Sequence, residues 1–341
     1  MTPTLAGQQP LPIATGLPPG RPGGVRLDER NATSYVEMTC RSILNWVQSR
    51  RIGDVFTVNP YRGCEFGCAY CYARYTHEFL DLVDWLDFER KVFVKTNAAA
   101  AMRRDLRRSD VHRYGIAIGT ATDPYQPAER RFQVTRRILE SLLPLRGIPI
   151  SVVTKSGLIE RDAELLAELA RRHTLQIKIS CVTTDPILQR ALEPRAHVPA
   201  RRFAAMAKLA HAGVPCGVLV APVLPGITDS EANLRSVLAA AKESGATTFG
   251  HTVLFLTDAS KKRFYPWLQE HVPELFARYA RHYQTAMYET EAYRDTISSR
   301  IQELANQVGL VRGMGGMVPR ASRSREIPEP GRTDDFVRPD A

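Results

Sequence analysis

Apolar residues follow two alternating patterns along the chain. Short runs rich in Val, Ile and Phe predict β-strands, and the longer segments between them carry apolar residues at helical spacing. The predicted strands are Val55–Val58, Lys91–Lys95, Tyr114–Ile118, Pro149–Val153, Gln176–Ser180, Val214–Val220 and Thr247–Phe255. The clearest predicted helices are Asp162–Arg172, with an acidic start, and Arg201–Ala212, which ends before Gly213. A strand followed by a helix is therefore the repeating unit.

This repetition predicts an α/β protein with a parallel sheet and right-handed crossovers. Six or seven such units predict a partial (β/α)6-type TIM barrel, whose functional site lies at the carboxyl ends of the strands. We assign the barrel to residues 31–260 and a helical C-terminal extension to 261–312. The Pro- and Gly-rich residues 1–30 are expected to form a flexible N-terminal arm, and residues 313–341 a disordered tail.

Composition limits the partners and the cell compartment. No stretch approaches the roughly 20 apolar residues that span a bilayer, and the N-terminus lacks a signal-peptide layout, so we predict a cytoplasmic protein without a membrane partner. The net charge of +10 admits a nucleic-acid partner, but arginines interleaved with acids, as in residues 103–108, are typical of a solvated helix face. Six cysteines are too few for a disulfide framework in a chain of 341 residues.

Three of these cysteines form a motif directly after the first predicted strand. Cys64, Cys68 and Cys71 have the spacing C-x3-C-x2-C, in a loop that also contains Gly63 and Gly67. Three thiolates can bind three irons of a [4Fe-4S] cluster, whereas an electron-transfer cluster uses four cysteines. The open fourth iron can chelate the amino and carboxylate groups of S-adenosylmethionine (SAM) and pass one electron to its sulfonium. The alternative is a structural zinc site in a nucleic-acid-binding module, with His77 as the fourth ligand.

The motif and its flanks resemble the radical SAM superfamily, and within it the spore photoproduct lyase branch. The resemblance covers about Val55 to Ile227. The segments that carry it are Asn59-Pro-Tyr-Arg-Gly-Cys64, Cys68-Ala-Tyr-Cys-Tyr72, Thr122-Asp-Pro-Tyr-Gln-Pro127, Thr154-Lys-Ser156 and Ala221-Pro-Val-Leu-Pro-Gly226. It implies that a [4Fe-4S] cluster and SAM are the cofactors, with Cys64, Cys68 and Cys71 as cluster ligands. It also implies an external one-electron donor such as flavodoxin or ferredoxin.

The candidate SAM contacts lie mostly at successive ends of predicted strands. Lys155 is placed to pair with the SAM carboxylate, Ser180 with the carboxylate or ribose, and Thr122 with the ribose. Tyr70 and Ala221 are expected to flank the adenine, and these five positions match the contacts that the lyase resemblance implies. Two further candidates are Asn97, where the superfamily meets the SAM ammonium although its Gly-Gly-Glu motif is absent here, and Arg195, for the carboxylate.

The substrate is less closely defined. Spore photoproduct lyase repairs a thymine dimer in DNA, and a cysteine after its third strand quenches the product radical; the alignment puts Thr120 at that position. Tyr70 and Tyr72 match its two relay tyrosines, and Tyr72 is a candidate catalytic residue. Cys181 is expected to face the outer helices if Ser180 faces SAM.

The substituted thiol position favours a small, nucleoside- or sugar-nucleotide-like substrate over thymine-dimer repair. The reaction would then form a carbon–carbon bond or remodel a sugar, as in nucleoside natural-product biosynthesis. Repair or modification of DNA or RNA is the alternative within the enzyme class.

Overall fold

The computed structural model describes residues 26–30, 33–48 and 53–313. Its strands are β1 (Arg26–Arg30), β2 (Thr33–Met38), β3 (Asn45–Val47), β4 (Val55–Val58), β5 (Tyr61–Arg62), β6 (Lys91–Lys95), β7 (Ile116–Ile118), β8 (Pro149–Thr154), β9 (Thr174–Ser180), β10 (Cys216–Val223), β11 (Thr248–Val253) and β12 (Val311–Arg312).

Helices connect most of these strands. They are α1 (Asp87–Arg90), α2 (Ala98–Asp105), α3 (Val111–Tyr114), α4 (Ala128–Phe132), α5 (Val134–Glu140), α6 (Ala163–Arg172), α7 (Pro186–Leu192), α8 (Pro199–His211), α9 (Glu231–Glu243), α10 (Asp258–His271), α11 (Pro273–Tyr283) and α12 (Glu291–Gln307). Two 3-10 helices, Tyr72–Leu80 and Gly157–Asp162, follow the cysteine loop and β8.

The larger sheet is the predicted partial barrel. Its order is β12-β11-β10-β9-β8-β7-β4-β3, and all neighbours are parallel except β3, which runs antiparallel to β4. Helices α6, α8 and α9 cover its outer face with apolar side chains such as Leu166, Leu209 and Leu234, all fully buried. The α/β class and the partial TIM barrel are therefore confirmed, with the carboxyl ends of the strands on one rim.

One predicted barrel strand lies elsewhere. Lys91–Lys95 forms β6, but β6 is in a second sheet of order β1-β2-β6-β5, and β4 pairs directly with β7. The prediction that it is the second barrel strand is wrong because β2 offers it five paired positions, from Ser34 opposite Lys91 to Met38 opposite Lys95. The partner strand is distant in sequence, and local patterning does not reveal it.

The two predicted terminal segments lie largely outside the described residues. Of the arm at 1–30, residues 26–30 are described and form β1, which pairs antiparallel with β2. Of the tail at 313–341, only Gly313 is described, and its amide donates to the carbonyl of Phe249. In the described part of the chain, no helix is long and apolar enough to cross a bilayer.

The predicted C-terminal extension divides into two parts with different positions. Helix α12 packs on the barrel, with Ile297, Ile301 and Leu304 in the main core, and leads into β12 at the sheet edge. Helices α10 and α11 instead contribute Trp267, Tyr279 and other residues to a second apolar cluster, which also contains residues of the cysteine loop. The barrel sheet therefore continues into the segment that the sequence assigned to an extension.

Candidate active site

The cysteine loop is a tight turn that needs glycine at two positions. Gly63 and Gly67 have φ of +88° and +65°, in the left-handed region. A Cβ at Gly63 would lie 2.8 Å from the carbonyl oxygen of Lys91, and one at Gly67 would lie 2.7 Å from Glu89 Oε2. Both close approaches let the loop fold against β6 and α1.

Side chains from the segment after β7 hold this loop in place. Thr122 Oγ1 donates to the carbonyl of Gly63 at 2.6 Å, and Gln126 Nε2 donates to the same carbonyl at 3.1 Å. Gln126 Oε1 accepts the amide of Glu65 at 3.0 Å, while the Glu65 carboxylate accepts from Tyr35 Oη at 2.8 Å. The segment Thr122–Pro127, which carries the family resemblance, thus positions the cluster loop.

Two arginines that pair with the buried Glu89 also contact the loop region. Arg74 Nη2 donates to the carbonyl of Cys68 at 2.9 Å and to Glu89 Oε1 at 2.6 Å. Arg195 Nη2 pairs with Glu89 Oε2 at 2.6 Å. Arg195 does not line the cavity described below, and its guanidinium pairs with Glu89 instead.

One cavity of about 350 Å³ lies at the carboxyl rim of the barrel and extends inward. All three motif cysteines line it, together with most of the predicted site residues: Tyr70, Tyr72, Thr122, Lys155, Ser180 and Ala221. These residues come from the cysteine loop, from the ends of β8, β9 and β10, and from the segment after β7. The structure therefore brings together five of the seven predicted SAM contacts.

A buried hydrogen bond and ion pair, which the sequence did not predict, hold Tyr70 in place at the cavity. The Tyr70 hydroxyl donates to Glu193, and Glu193 pairs with Arg202, with both charged side chains fully buried. Burial alone would raise the pKa of Glu193, but Arg202 and then Lys155 outweigh it and lower the pKa. Lys155 Nζ lies 5.9 Å from the centre of the Tyr70 ring. No local sequence signal marks Glu193 or Arg202, because their partners are distant in sequence.

Two predicted contacts, Ser180 and Asn97, differ in whether they lie at the cavity. Ser180 lines the cavity, and its Oγ donates to the carbonyl of Ala221 at 3.2 Å. Asn97, by contrast, lies outside the cavity: its amide group donates to the carbonyl of Cys40 and accepts the amide of Cys40, both at 2.9 Å. Asn97 follows β6, and β6 belongs to the second sheet, so this position does not reach the barrel rim.

Tyr72 and Thr120 are in contact and both line the cavity. The Tyr72 hydroxyl donates to the carbonyl of Thr120, and its ring centre lies 4.9 Å from that of Phe255. Thr120 Oγ1 accepts from Asn59 Nδ2 at 3.1 Å. Cys181 is fully buried in the main core and does not line the cavity, so the predicted orientation of this thiol is confirmed.

The three cysteines fit a multi-iron cluster better than one metal ion. Within residues 26–30, 33–48 and 53–313, no three His, Cys, Asp or Glu side chains converge on a single metal position. His77, the suggested fourth zinc ligand, lies outside the cavity with its ring 5.2 Å from that of Phe88. Burial raises the pKa of all three thiols, and bound iron would reverse this by supplying positive charge.

Comparison with known proteins identifies the class. The sequence profile of the Radical SAM superfamily matches residues 58–258. An uncharacterized protein of Mycobacterium tuberculosis is 39% identical over 303 residues, which cover 86% of this chain and 88% of that protein. An uncharacterized protein of Methanocaldococcus jannaschii is 25% identical over 224 residues, or 66% of this chain and 79% of that one.

Solved structures show the same fold. A spore photoproduct lyase variant with bound AdoMet and dinucleoside spore photoproduct has a TM-score of 0.60 and 15% identity, covering 83% of this chain and 82% of that chain. The lyase complexed with dinucleoside spore photoproduct has a TM-score of 0.59 and 14% identity, covering 83% of this chain and 82% of that chain.

The chain belongs to the radical SAM superfamily, and its cofactors are a [4Fe-4S] cluster and SAM. It is therefore an enzyme, and the alternative of a zinc-binding nucleic-acid module is wrong.

Proposed function

We propose that this radical SAM enzyme abstracts a hydrogen atom from a small, nucleoside- or sugar-nucleotide-like substrate. The observation that supports this most directly is the set of thiols around the cavity. All six cysteines of the chain are among the described residues, and those that line the cavity are Cys64, Cys68 and Cys71. Once these bind the cluster, no thiol faces the substrate.

A missing thiol limits how the substrate radical can be quenched. A carbon radical takes hydrogen readily from an S–H bond, which is weaker than the C–H bond that forms. Thr120 lines the cavity at the aligned position of the lyase cysteine, and its O–H bond is too strong to serve. The substrate radical therefore leads to another outcome, for which we propose carbon–carbon bond formation or remodelling of a sugar.

Aromatic residues that line the cavity favour a substrate with a planar group. Tyr72 and Phe255 line the cavity, and the Phe255 ring is stacked on Tyr288, with 5.4 Å between ring centres. Aromatic rings in offset stacks bind planar groups such as nucleobases. The substrate would share the cavity of about 350 Å³ with the cluster and SAM, because the residues proposed to bind both cofactors line it.

Different residues of the chain would bind the cluster and SAM. Cys64, Cys68 and Cys71 would hold the cluster, which supplies one electron to cleave bound SAM into methionine and a 5′-deoxyadenosyl radical. Lys155 would bind the carboxylate of SAM, Ser180 its carboxylate or ribose, and the Tyr70 ring, held by Glu193, would pack on its adenine. Arg74 and Gln126 fix the cysteine loop through its backbone, so the cluster ligands need little rearrangement.

A second candidate function is radical repair or modification of DNA or RNA. The net charge of +10 favours it, because basic proteins attract polyanions, and so does the fold likeness to spore photoproduct lyase. The two functions differ in whether a dinucleotide photoproduct is converted.

The test incubates anaerobically reconstituted enzyme with SAM, a one-electron reductant and dinucleoside spore photoproduct. We expect 5′-deoxyadenosine without repaired thymine dinucleoside, and we expect Thr120→Cys not to be required for the natural reaction. A panel of nucleosides and sugar nucleotides is run beside it, and stimulation of 5′-deoxyadenosine release identifies a substrate. Efficient repair of the photoproduct by the wild type would refute the small-substrate proposal, with Cys64→Ala as the inactive control.

A further inference from the structure

Lys155 lies just beyond the end of a barrel strand. The register of β8 with β9 ends at Thr154, and the register of β8 with β7 ends at Val152, so Lys155 follows the last paired position of both. A lysine ammonium sits on a flexible four-carbon stem, so it holds a ligand in one place only when the backbone that carries it is fixed. The backbone at Lys155 therefore depends on contacts other than those between strands.

Asp123, in the segment after β7, supplies these contacts. Its Oδ2 accepts the amide of Lys155 at 2.7 Å, and its Oδ1 accepts from Thr154 Oγ1 at 2.6 Å. Thr154 Oγ1 in turn accepts the amide of Ser156 at 3.0 Å. Hydrogen bonds to an ionised carboxylate are about twice as strong as neutral ones. One carboxylate thus fixes the backbone at Lys155 directly and the residue after it through Thr154.

The residues beside Asp123 hold the cysteine loop. Thr122 Oγ1 and Gln126 Nε2 both donate to the carbonyl of Gly63, the residue before the first motif cysteine. The amide of Tyr125 donates to Asp123 Oδ1 at 2.9 Å and closes a tight turn between these contacts. The same short segment therefore contacts the cluster loop on one side and the end of β8 on the other.

Asp123 also lines the cavity, as Lys155 does, so a direct contact with SAM is the competing role for this carboxylate. Its two oxygens already accept three hydrogen bonds from the protein, two at Oδ1 and one at Oδ2. All three bonds hold the segment after β7 or the end of β8. This arrangement favours a role in positioning over a direct contact.

We infer that Asp123 is a positioning residue for SAM, which acts by holding Lys155 at a fixed place relative to the cluster loop. This role rests on the proposed function, in which Lys155 binds the SAM carboxylate. SAM has to contact Lys155 and the cluster at the same time, and a misplacement of about 1 Å in such an arrangement can lower a rate about 10²-fold. Asp123 thus sets the affinity for SAM through its neighbour.

The test measures SAM affinity by equilibrium dialysis of anaerobically reconstituted enzyme in a double-variant cycle. Asp123→Asn keeps the shape, but an amide has one acceptor oxygen and one donor nitrogen, so it cannot accept from both Thr154 and the amide of Lys155. We expect Asp123→Asn to weaken SAM binding roughly tenfold while about four irons per chain are retained. In the Lys155→Ala background the same change should have little further effect, because both variants remove one contact.

Asp105→Asn is the matched control. The carboxylate of Asp105 accepts from Ser42 Oγ at 2.9 Å and from the amides of Ile43 at 2.7 Å and Leu44 at 3.1 Å, so its partners are of the same kinds as those of Asp123. Asp105 does not line the cavity. We expect the affinity for SAM to be the same in Asp105→Asn as in the wild type.

A second pair of variants covers the case in which Asp123→Asn does not fold. Thr154→Val removes the hydroxyl that links Asp123 to the amide of Ser156, whereas Thr154→Ser keeps it. We expect SAM binding to weaken in Thr154→Val and to stay near that of the wild type in Thr154→Ser. Equal affinities in these two variants would overturn the inference.

The outcomes separate this inference from the proposed function. If Lys155→Ala leaves SAM affinity unchanged, the proposed place of the SAM carboxylate is wrong. If Lys155→Ala weakens SAM binding and Asp123→Asn does not, the role of Asp123 is refuted and the place of the carboxylate stands. If the losses in Asp123→Asn and Lys155→Ala add up in the double variant, Asp123 acts independently of Lys155, and the inference is overturned in favour of a direct contact.

Discussion

Replacing Arg202 should destabilise the protein more than any surface charge change. Arg202 Nη2 pairs with Glu193, Nη1 donates to the carbonyl of Ser180 at 2.8 Å, and Nε donates to the carbonyl of His197 at 2.6 Å. Arg202→Met would leave the buried Glu193 carboxylate without its ion-pair partner, with only the weaker influence of the Lys155 charge. Breaking a buried pair in this way costs about 3–5 kcal/mol, a large share of the roughly 5–15 kcal/mol that stabilises a typical domain.

The assay is urea unfolding followed by circular dichroism, with two comparison variants. Arg235→Met removes an ion pair with Glu231, and the side chains of Arg235 and Glu231 are 45% and 62% exposed. We therefore expect the free energy of unfolding to fall by about 0.3–0.5 kcal/mol. The double variant Glu193→Leu/Arg202→Met should be more stable than Arg202→Met alone, because it buries no uncompensated carboxylate. Equal losses for Arg202→Met and Arg235→Met, or a double variant no more stable than Arg202→Met, would refute this reasoning.

Three further predictions concern the cofactor site. Alanine at Cys64, Cys68 or Cys71 should abolish iron binding in anaerobic reconstitution, whereas the same change at Cys40, Cys181 or Cys216 should leave about four irons per chain. Lys155→Ala should weaken SAM binding roughly tenfold or more with iron content intact, because a hydrogen bond to a charged group contributes about 1.5–3 kcal/mol. Ser180→Ala should weaken SAM binding less. Unchanged SAM affinity in both variants would contradict the assignment of these two residues. Gln126→Leu leaves the amide of Glu65 without its partner and should speed iron loss to a chelator relative to wild type.

The sequence was informative where a feature depends on neighbouring residues. Six parallel strands and the cysteine loop follow from local patterning and spacing, and Lys155 and Ser180 follow from their positions at strand ends. The sheet that holds Lys91–Lys95 could not be predicted, because Thr33–Met38, its parallel partner, is remote in the chain.

The surroundings of two predicted site residues depend on similarly distant contacts. Asn97 follows β6, which pairs with β2 in the second sheet. Arg195 pairs with Glu89, which lies 106 residues away in sequence. Tyr70 and Glu193 are 123 residues apart, so their contact exists only in the folded chain.

The central claim is that Cys64, Cys68 and Cys71 hold a cluster that cleaves SAM in the cavity they line. The most direct measurement incubates anaerobically reconstituted protein with SAM and dithionite and quantifies 5′-deoxyadenosine and methionine by chromatography. We predict that the wild type forms both products in equal amounts and that Cys68→Ala forms neither. Intact SAM after incubation with wild-type protein that contains about four irons per chain would contradict the account.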